Sequence, residues 1–206
     1  MVGKDPNDKY DDPIRWGLNY LKSLQIMDPR DNECFGAIRE YNATSSWIFP
    51  RDATTVAWLF LHMYDRTGDK DYLYRADIYG QWFCNYALDE NAWPRGRVII
   101  DRSSPEEICD GGQDIQFKLQ CQMGNLPFLV WLYQETQNEL YRQTARGIFD
   151  MILSRFQKND GIYFAENKRG HHSGDRPGND DFAGVGVIAC QQVLGFMGGT
   201  QQSGGN

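Results

Sequence analysis

The sequence predicts an all-α fold built of helical hairpins, and two observations lead to this prediction. Apolar residues recur at helical spacing in six segments that turn residues separate from one another. A gapless internal repeat relates two of the hairpins at an offset of 69 residues (133 minus 64). Because one hairpin cannot bury its apolar faces alone, repeated hairpins are expected to stack into a ring or a solenoid. The six segments span residues 14–24, 53–66, 72–88, 114–136, 140–156 and 182–197.

Local signals mark the ends of the first three segments. Pro13 suits the first turn of segment 14–24. Asp52 is expected to cap segment 53–66, and Thr67-Gly68-Asp69 interrupts the helical pattern before segment 72–88 resumes it. The apolar face of the first segment consists of Trp16, Tyr20, Leu21 and Leu24.

The last three segments have signals of the same kind. Gly124 and Pro127 predict a kink or a break within segment 114–136. Segment 140–156 follows it, and Asp180 or Asp181 is expected to cap segment 182–197.

The repeat gives two hairpins a common plan. Each copy has a helix, a short turn that begins with Thr, a second helix, an Asn/Asp loop and an extended piece, at 92–94 and 161–164. A third start at Asp181 resembles the one at Asp52, and segment 14–24 is expected to be its partner and to close a ring of three hairpins. The alternatives are an incomplete ring or one that joins a second copy. The aligned pairs are Tyr64 with Tyr133, Thr67 with Thr136, Asp69 with Asn138, Tyr72 with Tyr141, Ala76 with Ala145, and Asn91 with Asp160.

Composition limits the class of protein. The length predicts one domain at 13–197, between a polar tail at 1–12 and a flexible Gly/Ser/Gln tail at 198–206. Aromatic residues make up 14% of the chain, and most are expected to fill the core. There are more of them than a small core requires, and aromatic faces stack well on sugars. A net charge of -7 without a Lys/Arg stripe argues against unaided nucleic-acid binding. No apolar run reaches the roughly 18–20 residues of a membrane span.

The cysteines and the N-terminus leave the cellular compartment open. Five scattered cysteines, without metal-ligand spacing, predict mostly free and buried thiols. The first twelve residues lack the apolar core of a signal peptide, so the chain is expected to be cytoplasmic or secreted after processing.

Several motifs resemble those of the α/α-toroid superfamily of carbohydrate-active proteins. The resemblance covers roughly residues 47–97 well and the rest in outline. The superfamily includes six-hairpin glycoside hydrolases, unsaturated uronyl hydrolases, sugar epimerases and polysaccharide lyases, and the local resemblance is closest to three-hairpin pectate lyases. It implies an α/α toroid, or a partial toroid, of about three helical hairpins, with active-site residues at the N-termini of the inner helices. The motifs are Asp52-Ala53-Thr54-Thr55, Thr67-Gly68-Asp69, Tyr72, Ala76 and Asn91-Ala92-Trp93-Pro94.

Acidic residues at the predicted helix starts are the candidate catalytic groups. Asp52, paired with Asp114 or Asp181, fits glycoside hydrolysis, which needs one protonated and one ionised carboxyl group. A lyase would instead need a base and a cation or an Arg beside the substrate carboxylate. Asp110 and Asp114 are candidate Ca²⁺ ligands for that chemistry. A capping role is the simpler interpretation of each Asp taken singly.

Basic and aromatic residues near the same starts are the candidate substrate-binding groups. Arg51 and Arg95 suit bidentate contacts with substrate carboxylates, with Asp180 at the third helix start beside them. Ordinary surface ion pairs are the alternative for each Arg. The stacking candidates are Trp47, Trp93 and Tyr163, which sit in matching loop positions and whose alternative role is to plug the end of the helical ring.

A pair of adjacent histidines is the most unusual local feature. His171 and His172 lie in the Gly-rich polar loop 168–179, next to the third helix start. As functional groups they would contact substrate, act as a base or bind a metal. A solvated loop is the alternative.

Two functions therefore stay open. The first is a glycan-degrading enzyme, a hydrolase or a lyase, which acts on an oligo- or polysaccharide and needs no cofactor unless Ca²⁺ serves a lyase reaction. The second is a non-catalytic toroid that binds glycan or associates with copies of itself.

Overall fold

The computed structural model describes residues 11–31, 33–109 and 124–156. These residues form five α-helices and three short β-strands. The predicted helix 182–197, the extended piece 161–164 and the loop 168–179 lie outside the described residues. The helices are α1 (Asp11–Ser23), α2 (Pro50–Thr67), α3 (Lys70–Tyr86), α4 (Asn125–Thr136) and α5 (Glu139–Phe156), and the strands are β1 (Trp47–Ile48), β2 (Val98–Asp101) and β3 (Ile108–Cys109).

Helix α2 begins at Pro50, which corrects the prediction that Asp52 caps it. The N-cap residue is Phe49, which makes no side-chain capping hydrogen bond. Pro50 suits the first helical position because its fixed φ is helical and its missing N–H would have no partner there. Asp52 lies within the first turn, where its negative charge still interacts favourably with the helix dipole.

The turn between α2 and α3 has the same hydrogen bonds as the turn between α4 and α5, which confirms this part of the repeat. Thr67 Oγ1 donates to the Met63 carbonyl at 2.6 Å and accepts from the Asp69 N–H at 3.2 Å. Thr136 Oγ1 makes the same two bonds, at 2.7 Å and 3.3 Å. Gly68 and Gln137 both take the left-handed conformation, with φ of 71° and 57°. Each turn is therefore set by a Thr hydroxyl and a left-handed residue.

The two hairpins pack side by side, with α2 against α4 and α3 against α5. Gly80 of α3 permits this approach, because a Cβ there would lie 2.3 Å from Leu132 and 3.0 Å from the Tyr141 ring. Corresponding helices thus lie in the same layer, as in an arc of an α/α toroid. The largest fully buried side chains are Trp82, Trp93, Tyr79, Tyr141, Phe60, Phe83, Phe128 and Phe149.

Helix α1 packs its C-terminal end on the first hairpin. Lys22 Nζ lies 2.7 Å from the Asp71 carboxylate and 3.9 Å from the centre of the Tyr72 ring. The predicted apolar face of α1 is buried only in part, since Leu24 is covered whereas Trp16 and Tyr20 are exposed. The helix begins at Asp11, slightly before the predicted domain boundary at residue 13.

A small antiparallel sheet, in the order β1-β2-β3, was not predicted. Trp47 pairs with Ile99, and Ile100 pairs with Cys109. Cys109 also forms a disulfide with Cys34, with Cα atoms 5.6 Å apart, so the expectation of free thiols is wrong for these two. Cys84 is the free cysteine of the described residues.

None of the helices that the structure describes combines the length and the apolar character that crossing a membrane requires.

Candidate functional site

A pocket of about 230 Å³ opens beside the start of α2. It brings together three residues that the sequence predicts for a site, namely Arg51, Asp52 and Arg95. Glu40 and Tyr41, which sequence reasoning missed, complete its polar and aromatic lining. The volume lies below the roughly 300–1,000 Å³ of pockets for drug-sized ligands, so it suits a small ring rather than a large molecule. The lining residues are Glu40, Tyr41, Phe49, Arg51, Asp52, Pro94, Arg95 and Gly96.

The loop that carries Glu40 is fixed on both sides. The Glu40 N–H donates at 3.2 Å to the carbonyl of Trp47, the first residue of strand β1. The preceding residue, Arg39, donates its N–H to the Leu24 carbonyl at 3.0 Å, and its largely buried side chain forms an ion pair with the carboxylate of Glu107. Further back, the Cys34–Cys109 disulfide joins the same loop to β3. These contacts place the Glu40 side chain at the pocket.

A buried carboxylate organises the opposite wall of the pocket. Asp89 Oδ1 accepts from the N–H groups of Asn91 at 2.9 Å and Trp93 at 2.8 Å. The chain returns past α3, where the Arg95 N–H donates to the Ala87 carbonyl at 2.8 Å. The tight loop presents Pro94, Arg95 and Gly96 to the pocket.

Two carboxyl groups in the pocket have different surroundings. Burial raises the pKa of Glu40 above its usual value, the negative charge of Asp52 raises it further, and Arg51 opposes the shift. Asp52 instead forms an ion pair with Arg51, with 2.7 Å between Nε and Oδ1 and 3.3 Å from the Arg51 terminal nitrogen to Oδ2. The surroundings of Glu40 therefore favour its protonated form.

The cationic and aromatic groups complete the geometry. The Arg95 Nε donates to the Leu88 carbonyl at 3.2 Å, while its side chain lines the pocket with Arg51. Tyr41 is 64% exposed at the pocket, and its ring meets the Trp47 ring edge-on with 6.3 Å between centroids. Glycans present hydroxyl groups and apolar C–H faces, and this combination of charged and aromatic groups can contact both.

The aromatic predictions have different outcomes. Trp47 is half-buried beside Tyr41 and is not among the residues that line the pocket. Trp93 is fully buried, so its ring fills the core below the Asp89 loop and presents no face for stacking. Trp93 thus belongs to the core, and its predicted role as a plug at the end of the helical ring stays a prediction.

Several predicted site residues fall outside the described residues and stay predictions. Within residues 11–31, 33–109 and 124–156, no group of three or more His, Cys, Asp or Glu is arranged to hold a metal ion. Because the candidate ligands for Ca²⁺ are among those outside, that site also stays a prediction. The residues are Asp110, Asp114, Tyr163, His171, His172, Asp180 and Asp181.

Solved structures of carbohydrate-processing enzymes share this fold. The unsaturated glucuronyl hydrolase from Bacillus sp. GL1 is 14% identical over 88% of this chain and 56% of that chain, with a TM-score of 0.56. Cellobiose 2-epimerase from Bacillus thermoamylovorans is 9% identical over 90% and 48%, with a TM-score of 0.64. A family 76 glycoside hydrolase from a bovine Bacteroides thetaiotaomicron strain is 18% identical over 92% and 39%, with a TM-score of 0.62.

These likenesses confirm the predicted fold class, an α/α toroid or a partial toroid of helical hairpins. This chain spans about half the length of the solved structures that it matches. No protein-family profile matches the sequence, and no curated protein matches it.

Proposed function

We propose that this protein hydrolyses a glycosidic bond of an oligo- or polysaccharide in the pocket at the start of α2. The observation that carries the proposal is the pair of carboxyl groups, Glu40 and Asp52, which share one pocket in different surroundings. Glycoside hydrolysis uses one carboxyl group that keeps its proton and one that is ionised. The fold shared with carbohydrate-processing enzymes supports the proposal by analogy.

The roles follow from the surroundings of each carboxyl group. Glu40 donates its proton to the glycosidic oxygen as the bond from that oxygen to the anomeric carbon breaks. Water adds to the anomeric carbon and gives its proton to the carboxylate of Asp52. Arg51 orients Asp52 through two hydrogen bonds, and Arg95 contacts polar groups of the bound sugar.

The acid role of Glu40 has a consequence for pH. Since the pKa of Glu40 is raised by burial and by Asp52, its protonated form persists into less acidic solution than for an ordinary Glu. Activity is therefore expected to be lost as pH rises through the raised pKa of Glu40. The same group favours the folded state while it is protonated, and that contribution is lost on the same rise.

A non-catalytic glycan-binding site is the alternative. The bidentate contact between Arg51 and Asp52 favours it, because a carboxylate held in an ion pair is already engaged. Binding without turnover would be its signature.

A depolymerisation screen tests the proposal. Neutral and uronic-acid polysaccharides are incubated with the protein, with and without Ca²⁺, while new reducing ends and the ultraviolet absorbance of unsaturated products are followed. We expect reducing ends without absorbance, and a loss of about 10²–10⁴-fold in rate for Glu40→Gln and for Asp52→Asn. The matched control is Asp65→Asn in the last turns of α2, remote from the pocket, which is expected to leave the rate unchanged.

Each other outcome has a definite meaning. Growth of ultraviolet absorbance would contradict hydrolysis and indicate a lyase. If the protein binds glycan without cleaving any substrate, and Asp52→Asn alters that binding, the pocket is a non-catalytic binding site rather than an active site.

A further inference from the structure

Three exposed aromatic side chains continue from the pocket along helix α1. We name Tyr41, Tyr20 and Trp16 the aromatic strip. Their exposed fractions are 64%, 51% and 67%, among the highest of the large apolar side chains that the structure describes. Tyr41 belongs both to the strip and to the pocket lining, so the two surfaces are continuous.

Contacts from two sides hold Tyr41 at the junction. Its backbone has a φ of 60°, a conformation that a bulky residue rarely adopts. The hydroxyl of Tyr20 donates to the Tyr41 carbonyl, and Trp47 packs its ring against the Tyr41 ring. The loop is thus held in a form that keeps an aromatic face in solvent beside the carboxyl pair.

The rest of the strip is built on a helix that is anchored elsewhere. Trp16 and Tyr20 are four residues apart, so they lie one above the other on α1. Leu18 is the buried apolar residue of this helix, Leu24 is buried directly after its end, and Lys22 forms an ion pair with Asp71. The packing of α1 on the rest of the protein therefore does not require the rings of Trp16 and Tyr20, which remain at the surface.

We propose that the aromatic strip binds the outer sugar units of an oligosaccharide whose reacting unit lies in the pocket. The proposal rests on the proposed function for the position of the reacting unit. Pyranose rings have apolar C–H faces that stack on aromatic rings, and successive rings along a helix can bind successive sugars. Continuity with a pocket of about 230 Å³ whose size suits a single sugar ring favours a glycan over a second protein copy as the occupant.

Binding of saccharide ladders tests the strip. The probes are oligogalacturonides and cello-oligosaccharides of two to eight units, titrated by calorimetry against the full chain and against its Glu40→Gln variant, which is expected to bind without cleaving. Affinity is expected to rise with length in at least one ladder. Trp16→Ala is expected to weaken the longest member about tenfold and to leave the disaccharide unchanged.

Matched variants separate stacking from folding. Tyr74→Ala removes a 48% exposed ring from α3 and is expected to leave the binding of every length unchanged. Tyr20→Phe keeps the ring but removes the hydroxyl that holds Tyr41, so it is expected to weaken binding less than Tyr20→Ala. Circular dichroism melts of each variant show whether the fold is retained.

Several outcomes would overturn the proposal. These are the absence of binding by both ladders, an equal effect of Tyr74→Ala and Trp16→Ala, or an effect of Trp16→Ala that does not depend on length. A dimer that Trp16→Ala converts to a monomer, measured by light scattering, would assign the surface to a second copy instead. Length-dependent binding without cleavage by the wild-type protein would sustain the strip and reject only the proposed hydrolysis.

Discussion

Residues 67–69 of the first hairpin and residues 136–138 of the second turn the chain with the same hydrogen bonds. At their opposite ends the hairpins differ. Helix α2 starts with Pro50 and carries an acidic residue in its first turn, whereas α4 starts at Asn125 and carries none there. The pocket lies at the start of α2. The two copies thus share the turns that fix the architecture, whereas the candidate catalytic residues lie where the copies differ.

Removal of the disulfide is expected to have the largest effect on stability. The cross-link closes a loop of the chain that contains the first hairpin and not the second. Cys34 and Cys109 are 75 residues apart in the chain. The double variant Cys34→Ala, Cys109→Ala is expected to lower the free energy of unfolding by about 4 kcal/mol, since the cross-link restricts the unfolded chain. Urea unfolding of oxidised protein measures this. Cys84→Ala is the control, and an equal loss in that variant would contradict the cross-link as the cause.

The aligned tyrosines Tyr72 and Tyr141 are expected to differ in their contributions to stability. Tyr141 is buried, and its hydroxyl donates to the Asp77 carboxylate at 2.5 Å, while burial and this bond raise its pKa. Tyr141→Phe is expected to lower the free energy of unfolding by about 1.5–3 kcal/mol. Tyr72→Phe keeps the ring under Lys22 and is expected to change the free energy of unfolding by less than about 0.5 kcal/mol. Equal effects in thermal or urea unfolding would contradict the assignment.

The contact between the hairpins is tested at Gly80. A methyl group there would overlap with Leu132 and Tyr141, so Gly80→Ala is expected to lower the free energy of unfolding by about 1–3 kcal/mol. Gly17→Ala on α1 is the matched control, because an added Cβ would meet nothing within 4 Å. Gly17→Ala is expected to raise the free energy of unfolding by about 0.5–1 kcal/mol, since Ala suits a helix interior better than Gly does. Chemical unfolding curves of both variants decide the signs.

The smallest effects are expected at the left-handed position of each turn. Gly68→Ala places a Cβ in a left-handed residue and is expected to lower the free energy of unfolding by about 1 kcal/mol. Gln137→Gly removes that cost from the second turn. The gain is expected to be only a few tenths of a kcal/mol, because the Gln137 side chain donates to the Tyr133 and Gln134 carbonyls. Effects of the same sign in thermal melts would show that the turns are not equivalent.

The features that the sequence predicts correctly are those with local causes. Helical spacing of apolar residues located the five described helices, and the Thr-x-Asp and Thr-x-Asn turns were visible in the repeat. Arg51 and Asp52, which follow a loop and precede a helical pattern, lie at the pocket, and their roles stay predictions. The predicted start of α2, at residue 53, lies three residues after the observed start, because Pro50 rather than a side-chain cap begins that helix.

The features that were missed depend on contacts between distant parts of the chain. Strands of two to four residues carry too little alternation to be recognised. Glu40 lies in a loop without a periodic pattern, and it meets Asp52 only because the 33–46 loop is fixed to the sheet. Spacing alone did not reveal the pairing of Cys34 with Cys109.

The disulfide also encloses the whole lining of the pocket within one stretch of the chain. Every residue that lines the pocket, from Glu40 to Gly96, lies between Cys34 and Cys109 in the chain. A protease that cuts one exposed bond within this stretch would leave both pieces covalently joined, with all lining residues still attached. Residues 34–109 are therefore the segment to transfer when the pocket is grafted onto another protein, because this disulfide-closed segment contains every lining residue.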